Sequence, residues 1–400
     1  MLCAVSAPRD HAFYRAALRG RSLPAAFVDL ELFDANARQV LQRAGDRPVR
    51  LATKSLRCPA LVERLRQLDR RFRGLMAYGP REAAWLLDHG HDDVLLGYPA
   101  TDPELLRPLA EAARAGRSVT FMVDCRGHVE RLGEVAAGAT LSLCLDLDVS
   151  LSLPGLHFGV RRSPVTTVEQ ALHVAAAIAA VPGLRLDGLM AYEAQVAGVP
   201  DAMPGRPWLG PIVRALKCRS VRLAAARRAA VVAALAERGH RLRFVNAGGT
   251  GSLETSAAED CVSEVTAGSA FFAPTLFDGY RRFRHLPAAG FALEVTRRPA
   301  PGLVTCQLGG YVASGAAGPS RLPQPYLPAG ARLLEHEGAG EVQTPVRLPS
   351  GVDLALGEPV FFRHAKAGEL LEHFPSVLLL SEGQVVAEVP SYRGLGLGPA

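Results

Sequence analysis

Lysine is nearly missing from this chain. Lys54, Lys217 and Lys366 are the three lysines among 45 basic residues, and all the others are arginine. Chemistry that needs a primary amine has only those three side chains to use. Long apolar runs are also missing. No stretch of about 18 uncharged apolar residues occurs, so no membrane span is expected. Arg9 and Asp10 interrupt the single early apolar stretch, so no secretory leader is expected either. No Cys-x-x-Cys occurs. The seven cysteines (Cys3, Cys58, Cys125, Cys144, Cys218, Cys261 and Cys306) are odd in number and widely spaced. That pattern argues against a disulfide frame or zinc knuckle, and for free thiols in a reducing cytoplasm. Aromatic residues are only 6%. The net charge is +6, but the arginines are scattered in pairs such as Arg70/Arg71, Arg161/Arg162 and Arg281/Arg282. A nucleic-acid binder gathers such charge into a stripe interleaved with aromatics, so no nucleic-acid partner is expected.

What is present is ample apolar material, 48% of 400 residues. That is enough for one large core or two. From about residue 26, short β-rich runs alternate with Ala/Leu/Arg-rich helical runs. Strands are read at Ala26–Asp29, Val49–Thr53, Gly74–Tyr78, Asp93–Leu96, Val119–Asp124, Leu141–Asp146, Leu186–Tyr192, Leu242–Asn246 and Cys261–Ala267. Helices are read at Leu32–Arg43, Pro59–Arg70, Pro80–His89, Pro103–Ala115, Val168–Val181 and Val221–Arg238. Several open with proline and several close near glycine, as helix termini prefer. Regular β-then-α alternation implies parallel strands with helical crossovers. With the first strand set aside, eight remain, and they predict an α/β fold built as a (β/α)8 barrel. A doubly wound open sheet is the alternative. No dinucleotide fingerprint follows the first strand.

After about residue 285 the helical signal fades. Runs at Ala292–Thr296, Leu303–Leu308, Glu341–Val346, Pro359–Arg363, Val377–Leu380 and Gln384–Val389 predict a mostly antiparallel β domain. Pro323, Pro325 and Pro328 predict a surface loop. The expected division is a barrel over residues 22–284 and a β domain over 285–400, with residues 1–21 packed on it.

Barrel enzymes place their chemistry at the C-terminal ends of the strands. Lys54 ends the run Val49–Thr53 and so faces the mouth. Asn246-Ala247-Gly248-Gly249-Thr250-Gly251-Ser252 follows the seventh barrel strand, where barrels commonly hold phosphate. Its glycines let backbone N–H groups approach an anion closely. Taken singly, these are also what an ordinary strand-end lysine and an ordinary turn look like. Together they describe a site for an aldehyde bearing a phosphate, and pyridoxal 5'-phosphate (PLP) is that molecule. Tyr192 ends the sixth strand, where a phenol can touch the cofactor or move a proton. His157, Arg161 and Arg162 follow the fifth, where a guanidinium can reach the cofactor's phenolate oxygen. Gly268 and Ser269 follow the eighth, beside the glycine turn if the barrel closes. Glu264 in that strand is either functional or a buried structural group.

The runs Ala25-Ala26-Phe27-Val28-Asp29-Leu30 and Arg50-Leu51-Ala52-Thr53-Lys54-Ser55 resemble the opening of fold-type III PLP enzymes, which share the alanine-racemase-type barrel. Gly248-Gly249-Thr250-Gly251 and Val265-Thr266-Ala267-Gly268-Ser269 are similar to the D-threonine aldolase and D-serine dehydratase branch. The resemblance runs from about residue 22 to the C-terminus. It implies a PLP barrel followed by a β domain, with Lys54 carrying the cofactor as a Schiff base. It further implies Gly248, Gly249, Thr250 and Ser269 around the phosphate and Tyr192 beside the cofactor. Metal-dependent members of that branch carry a His-x-Cys or His-x-Asp pair after a β strand. Here the matching stretch reads His364-Ala365-Lys366. An ammonium cannot ligate a divalent cation, which speaks against a zinc or manganese site of the usual kind. The stretch looks like that of bacterial proteins described as amino-acid deaminase/aldolase.

The implied function is a PLP-dependent lyase acting on a small β-hydroxy amino acid, by retro-aldol cleavage or by dehydration and deamination. His364 and Lys366 are the candidates for the β-hydroxyl end, with His364 as a proton-transfer group. A racemase using Lys54 and Tyr192 is the alternative. A PLP-binding regulatory protein is a further one, against which the extra β domain counts. The expected partner is a small-molecule substrate, with a homodimer as the candidate assembly.

Overall fold

The computed structural model describes residues 9–202 and 207–398. Eight parallel strands close a barrel: β2 (Val49–Ala52), β3 (Phe72–Ala77), β4 (Val94–Leu96), β5 (Val119–Val123), β6 (Leu141–Asp146), β9 (Leu184–Met190), β10 (Phe244–Ala247) and β11 (Glu264–Ala267). Strand β11 returns to pair with β2, Val265 opposite Val49. Between β6 and β9 lies a short antiparallel hairpin, β7 (Leu151–Leu153) and β8 (Leu156–Phe158). The main outer helices are α2 (Leu30–Ala44), α4 (Pro59–Leu68), α5 (Pro80–Asp88), α6 (Pro103–Arg114), α7 (Arg126–Ala136), α8 (Val168–Ala179) and α10 (Leu209–Glu237). Shorter ones are α1 (His11–Ala17), α3 (Thr53–Leu56), α9 (Ala194–Ala197), α11 (Leu253–Ala257) and α12 (Ala367–Leu370). The open-sheet alternative is thereby excluded.

The barrel interior is a packed core. Leu95, Met122, Cys144, Met190 and Phe244 fill it from five different strands. An ion pair completes the layer. Arg50 of β2, fully buried, donates to Glu264 of β11 at 2.6 Å. Glu264 also accepts from Asn246 Nδ2 at 2.8 Å, and Asn246 reaches Thr266 at 2.8 Å. Buried charge is tolerated when its partners are complete, as here. Glu264 is thus the buried structural group.

The second sheet has nine strands: β1 (Ala25–Asp29), β12 (Ala289–Ala300), β13 (Leu303–Gln307), β14 (Gln324–Leu327), β15 (Arg332–Leu333), β16 (Gln343–Arg347), β17 (Pro359–Arg363), β18 (Ser376–Ser381) and β19 (Gln384–Pro390). Strand β1 is central. It pairs antiparallel with β12 and parallel with β18. Helix α1 covers this sheet, with Tyr14, Ala17 and Leu18 packed on Phe27, Phe361 and Leu378. Asp29 fixes the corner into α2. It caps the helix at Leu32 N (3.2 Å) and accepts from Arg9 (2.8 Å) and Tyr14 (3.2 Å).

The loop expected around Pro323, Pro325 and Pro328 is in fact strand β14, paired on one side to β17. Proline removes a donor, but an edge strand can spare one. Helix α10 starts earlier than its apolar spacing suggested, at Leu209. The six cysteines among the described residues are free thiols, and Cys3 lies outside them. Among the described residues no helix is long and apolar enough to cross a membrane.

Candidate active site

Strand β2 ends at Ala52 and the chain turns at once into the one-turn helix α3. Lys54 sits in that turn, and its side chain lines a cavity at the barrel mouth. Its ammonium donates to Tyr98 Oη at 2.5 Å. Tyr98 stands just beyond β4. Burial pushes its phenol up, but Lys54 and Arg162 pull harder, and the net shift is below the ordinary value. The phenol and the amine therefore face each other in one hydrogen bond inside the cavity.

Across the cavity lies the turn after β10. Gly248 has φ +82°, a conformation open to glycine. Gly249 faces the Tyr192 ring so closely that a Cβ would lie 2.8 Å from Cε2. Thr250, Gly268 and Ser269 belong to the same wall, whereas Gly251 lies behind it, packed against the Ala197 carbonyl and the Tyr280 ring. Thr250 Oγ1 accepts from Ala270 N at 3.1 Å, which ties the loops after β10 and β11 together. Ser269 Oγ lies 3.5 Å from Ser55 Oγ, on the Lys54 side.

Glu193, fully buried, holds this turn from behind. It accepts from Ser252 Oγ at 2.5 Å, Ser256 Oγ at 2.6 Å and Arg228 at 3.0 Å, and lies 3.4 Å from Gly248 N. Gly249 N donates to Ser252 Oγ at 3.1 Å. Among the described residues, the N–H groups of Thr250 and Gly251 are left without an internal acceptor. They are the turn's available anion donors.

Tyr192 lines the same cavity, its phenol raised by burial and by neighbouring Glu193. Arg162 lines it too, 6.0 Å from the centre of the Tyr98 ring. His157 and Arg161 do not. They face a separate groove with Arg227, because the hairpin β7–β8 carries them outward. His157 there lies 3.0 Å from Ser152 Oγ and 3.2 Å from the Val160 carbonyl.

His364 and Lys366 are also outside the cavity wall. His364 is 4% exposed, and neither ring nitrogen has a partner. Burial, then Arg363, pushes it down to about 3, so it is neutral and poorly suited to carry protons near neutral pH. Lys366 is half-buried and donates to Ser314 Oγ at 3.0 Å. The pair does not fit a His-x-Cys or His-x-Asp metal centre: one imidazole is sealed in and the other position holds an ammonium. Among the described residues, the one group of three possible ligands is Asp124, Cys125 and His128, where His128 already contacts Asp124 at 3.0 Å.

Three groups escaped the sequence reading. Tyr98 follows the third barrel strand, and the strand-end rule that picked out Lys54 applies to it equally. Asp146 ends β6 in a recess shared with Tyr98, Arg162 and Tyr192; burial, then Asp124, pushes it up to about 7. Glu193 gave no signal beyond standing next to Tyr192.

Residues 28–275 match the alanine racemase N-terminal domain family, and the chain belongs to that family. It is 25% identical over 252 residues to a 3-hydroxy-D-aspartate aldolase of Paracoccus denitrificans (strain Pd 1222), covering 62% of this chain and 60% of that one. The aligned region thus spans under two thirds of that relative. Solved structures extend the likeness to both parts of the fold. A D-threonine aldolase from Filomicrobium marinum superposes with TM-score 0.77 at 23% identity, covering 93% and 95% of the two chains. A D-threo-3-hydroxyaspartate dehydratase from Delftia sp. HT23 gives 0.74 at 18%, covering 96% and 99%. An alanine racemase of Clostridium difficile 630 gives 0.63 at 12%, covering 92% and 99%. These superpositions show a shared barrel-plus-sheet fold, the architecture of fold-type III PLP enzymes.

Proposed function

We propose that the chain is a PLP-dependent lyase acting on a small β-hydroxy D-amino acid, by retro-aldol cleavage or by dehydration with deamination. The observation that carries this reading is the pairing of Lys54 with a glycine turn across one cavity. A strand-end amine and a set of backbone donors at the opposite wall suit an aldehyde at one end and a phosphate at the other. When bound, PLP supplies an electron sink that stabilises negative charge at the substrate's Cα. The names of the relatives, aldolases and a dehydratase of 3-hydroxy or threonine-type D-amino acids, support the reaction class.

The residues divide the work. The Thr250 N–H, with that of neighbouring Gly251, would hold the phosphate, and Glu193 keeps their turn in place. Arg162, also in the cavity wall, would donate to the cofactor's phenolate oxygen. Lys54 Nζ would hold the cofactor's aldehyde end and is the atom at which a proton can be taken or returned. Tyr98 Oη accepts from that nitrogen and can pass the proton on. Tyr192 closes the cavity against Gly249 and helps exclude water. No step is assigned to a metal, because the residues do not fit one.

The test uses the full chain saturated with PLP. Borohydride reduction and peptide mapping are expected to place the label on Lys54. Incubation with D-threonine, D-serine, 3-hydroxy-D-aspartate and their L-forms is expected to release glycine with an aldehyde, or a keto acid with ammonia, from the D-forms. Inverted amino acid alone would make the chain a racemase. Label on Lys217 or Lys366 would remove the reading altogether.

A further inference from the structure

His157 and Arg161 stood out in the sequence, yet the cavity does not use them. They line a separate groove of about 430 Å³ instead. The hairpin β7–β8 and the residues after it form one side, and helix α10 brings Arg227 to the other. Arg227 is half-buried, and two backbone carbonyls aim its guanidinium: Asp148 at 2.7 Å and Ser150 at 3.5 Å. Arg162 completes a set of three guanidiniums. The groove holds one carboxylate, that of Asp148, which already accepts from Ser150 N at 2.5 Å.

Elsewhere the enclosed arginines end on carboxylates. Arg50 pairs with Glu264, Arg228 with Glu193, and Arg243 with Asp187. Among the described residues, none of Arg161, Arg162 and Arg227 forms an ion pair. The guanidiniums of Arg161 and Arg162 have no hydrogen-bond acceptor either. His157 is occupied by Ser152 Oγ and the Val160 carbonyl and braces the hairpin. Like charges lining one groove repel unless an anion joins them. Three guanidiniums against one carboxylate leave a charge of +2, which calls for a dianion. A tetrahedral phosphate supplies that charge, with acceptor oxygens enough for several guanidinium forks.

The groove is not isolated from the cavity. A recess between them shares Asp148, Arg162 and Ser163 with the groove, and Tyr98, Arg162 and Tyr192 with the cavity. Arg162 thus lines all three, and its side chain is exposed enough to turn either way. We propose that the groove is a second anion site, for a phosphate or phosphate monoester, whose occupant competes with the cofactor's phenolate for Arg162. The binding stands on the groove alone, and the competition rests on the PLP reading. Such coupling is reciprocal: the anion loosens the hold of Arg162 on the cofactor, and the cofactor weakens the anion by the same factor.

The test titrates inorganic phosphate into PLP-saturated protein at constant ionic strength, with chloride as the balancing ion. Calorimetry is expected to show saturable binding, and the cofactor absorbance to change along the same curve. In Arg161→Gln and in Arg227→Gln the affinity for phosphate is expected to fall at least about fivefold, the loss of a charge-assisted donor. Neither residue lines the cavity, so absorbance and turnover without phosphate are expected to match the parent. Absence of saturable binding, or unchanged affinity in both variants, would overturn the site; the latter would place phosphate on the glycine turn. Binding that leaves the cofactor absorbance unmoved would overturn the competition for Arg162. A chain that takes up no PLP but still binds phosphate through Arg161 would sink the proposed reaction and leave the groove standing. Should Arg227→Gln disturb the hairpin it braces, Arg161→Gln, at an exposed position, decides the comparison.

Discussion

His364 shows how burial decides what a residue can do. Its place in the sequence suggested a proton carrier, but the structure seals it behind Phe272 with both nitrogens unpartnered. In the unfolded chain an imidazole takes up a proton near pH 6.5. In the folded chain it resists until about 3. Between those values the unfolded state binds the extra proton, so stability present above about pH 6.5 drains away as pH falls. From pH 7 to pH 5 the loss is about 2 kcal/mol, at about 1.4 kcal/mol per pH unit. Urea unfolding at the two pH values is expected to show this drop, and His364→Leu is expected to flatten it. An equal drop in the variant would place the acid sensitivity elsewhere. Sequence could give the identity of this residue but not its depth. Tyr98 was hidden for the opposite reason: Gly97-Tyr98-Pro99 reads as a turn, and only the closed barrel brings its phenol to Lys54.

At the scale of elements, all eight barrel strands were legible within a few residues, because each is a short apolar run and several of the helices between them open with proline, as α4, α5 and α6 do. The hairpin β7–β8 was not, being only three residues per strand and largely open to solvent. Nor was β14, whose prolines mimic a loop until its single-sided pairing is seen. The glycine turn was legible as a motif, though its division of labour was not. Sequence pointed to the whole turn Gly248–Gly251 as anion donors; the structure commits Gly249 N to Ser252 and leaves the N–H groups of Thr250 and Gly251 without an acceptor among the described residues. A side chain at Gly249 would collide with Tyr192 and Ala197. Gly249→Val is thus expected to weaken PLP binding at least tenfold by equilibrium dialysis, with Gly249→Ala in between and the far-ultraviolet spectrum unchanged. Undiminished affinity in the valine variant would move the phosphate to another wall.

Across the whole molecule, the two parts of the fold meet at the reactive lysine. Helix α12 of the second sheet's region rests on the Lys54 turn with no room for a side chain at Gly368. Gly368→Leu must push backbone from backbone, a strain of about 1–3 kcal/mol on overpacking precedent. Its expected effect is a lower denaturant midpoint together with weaker PLP retention. Lower stability with cofactor affinity unchanged would show that the contact braces the fold without shaping the site.

Strand β1 has a consequence of another kind. Ala25 lies early in the chain, yet its partner is Ala292, and Phe27 waits for Leu378. A growing chain leaves the ribosome at about 5–20 residues per second. One edge of the strand therefore stays bare until Ala289–Ala292 has been made, and the other until Leu378–Leu380 has. Pairings this distant in sequence are slow to form, and unpaired strand edges invite association. Helix α1, whose Tyr14 packs its ring on Phe27, is in position to shield one face of the strand while it waits.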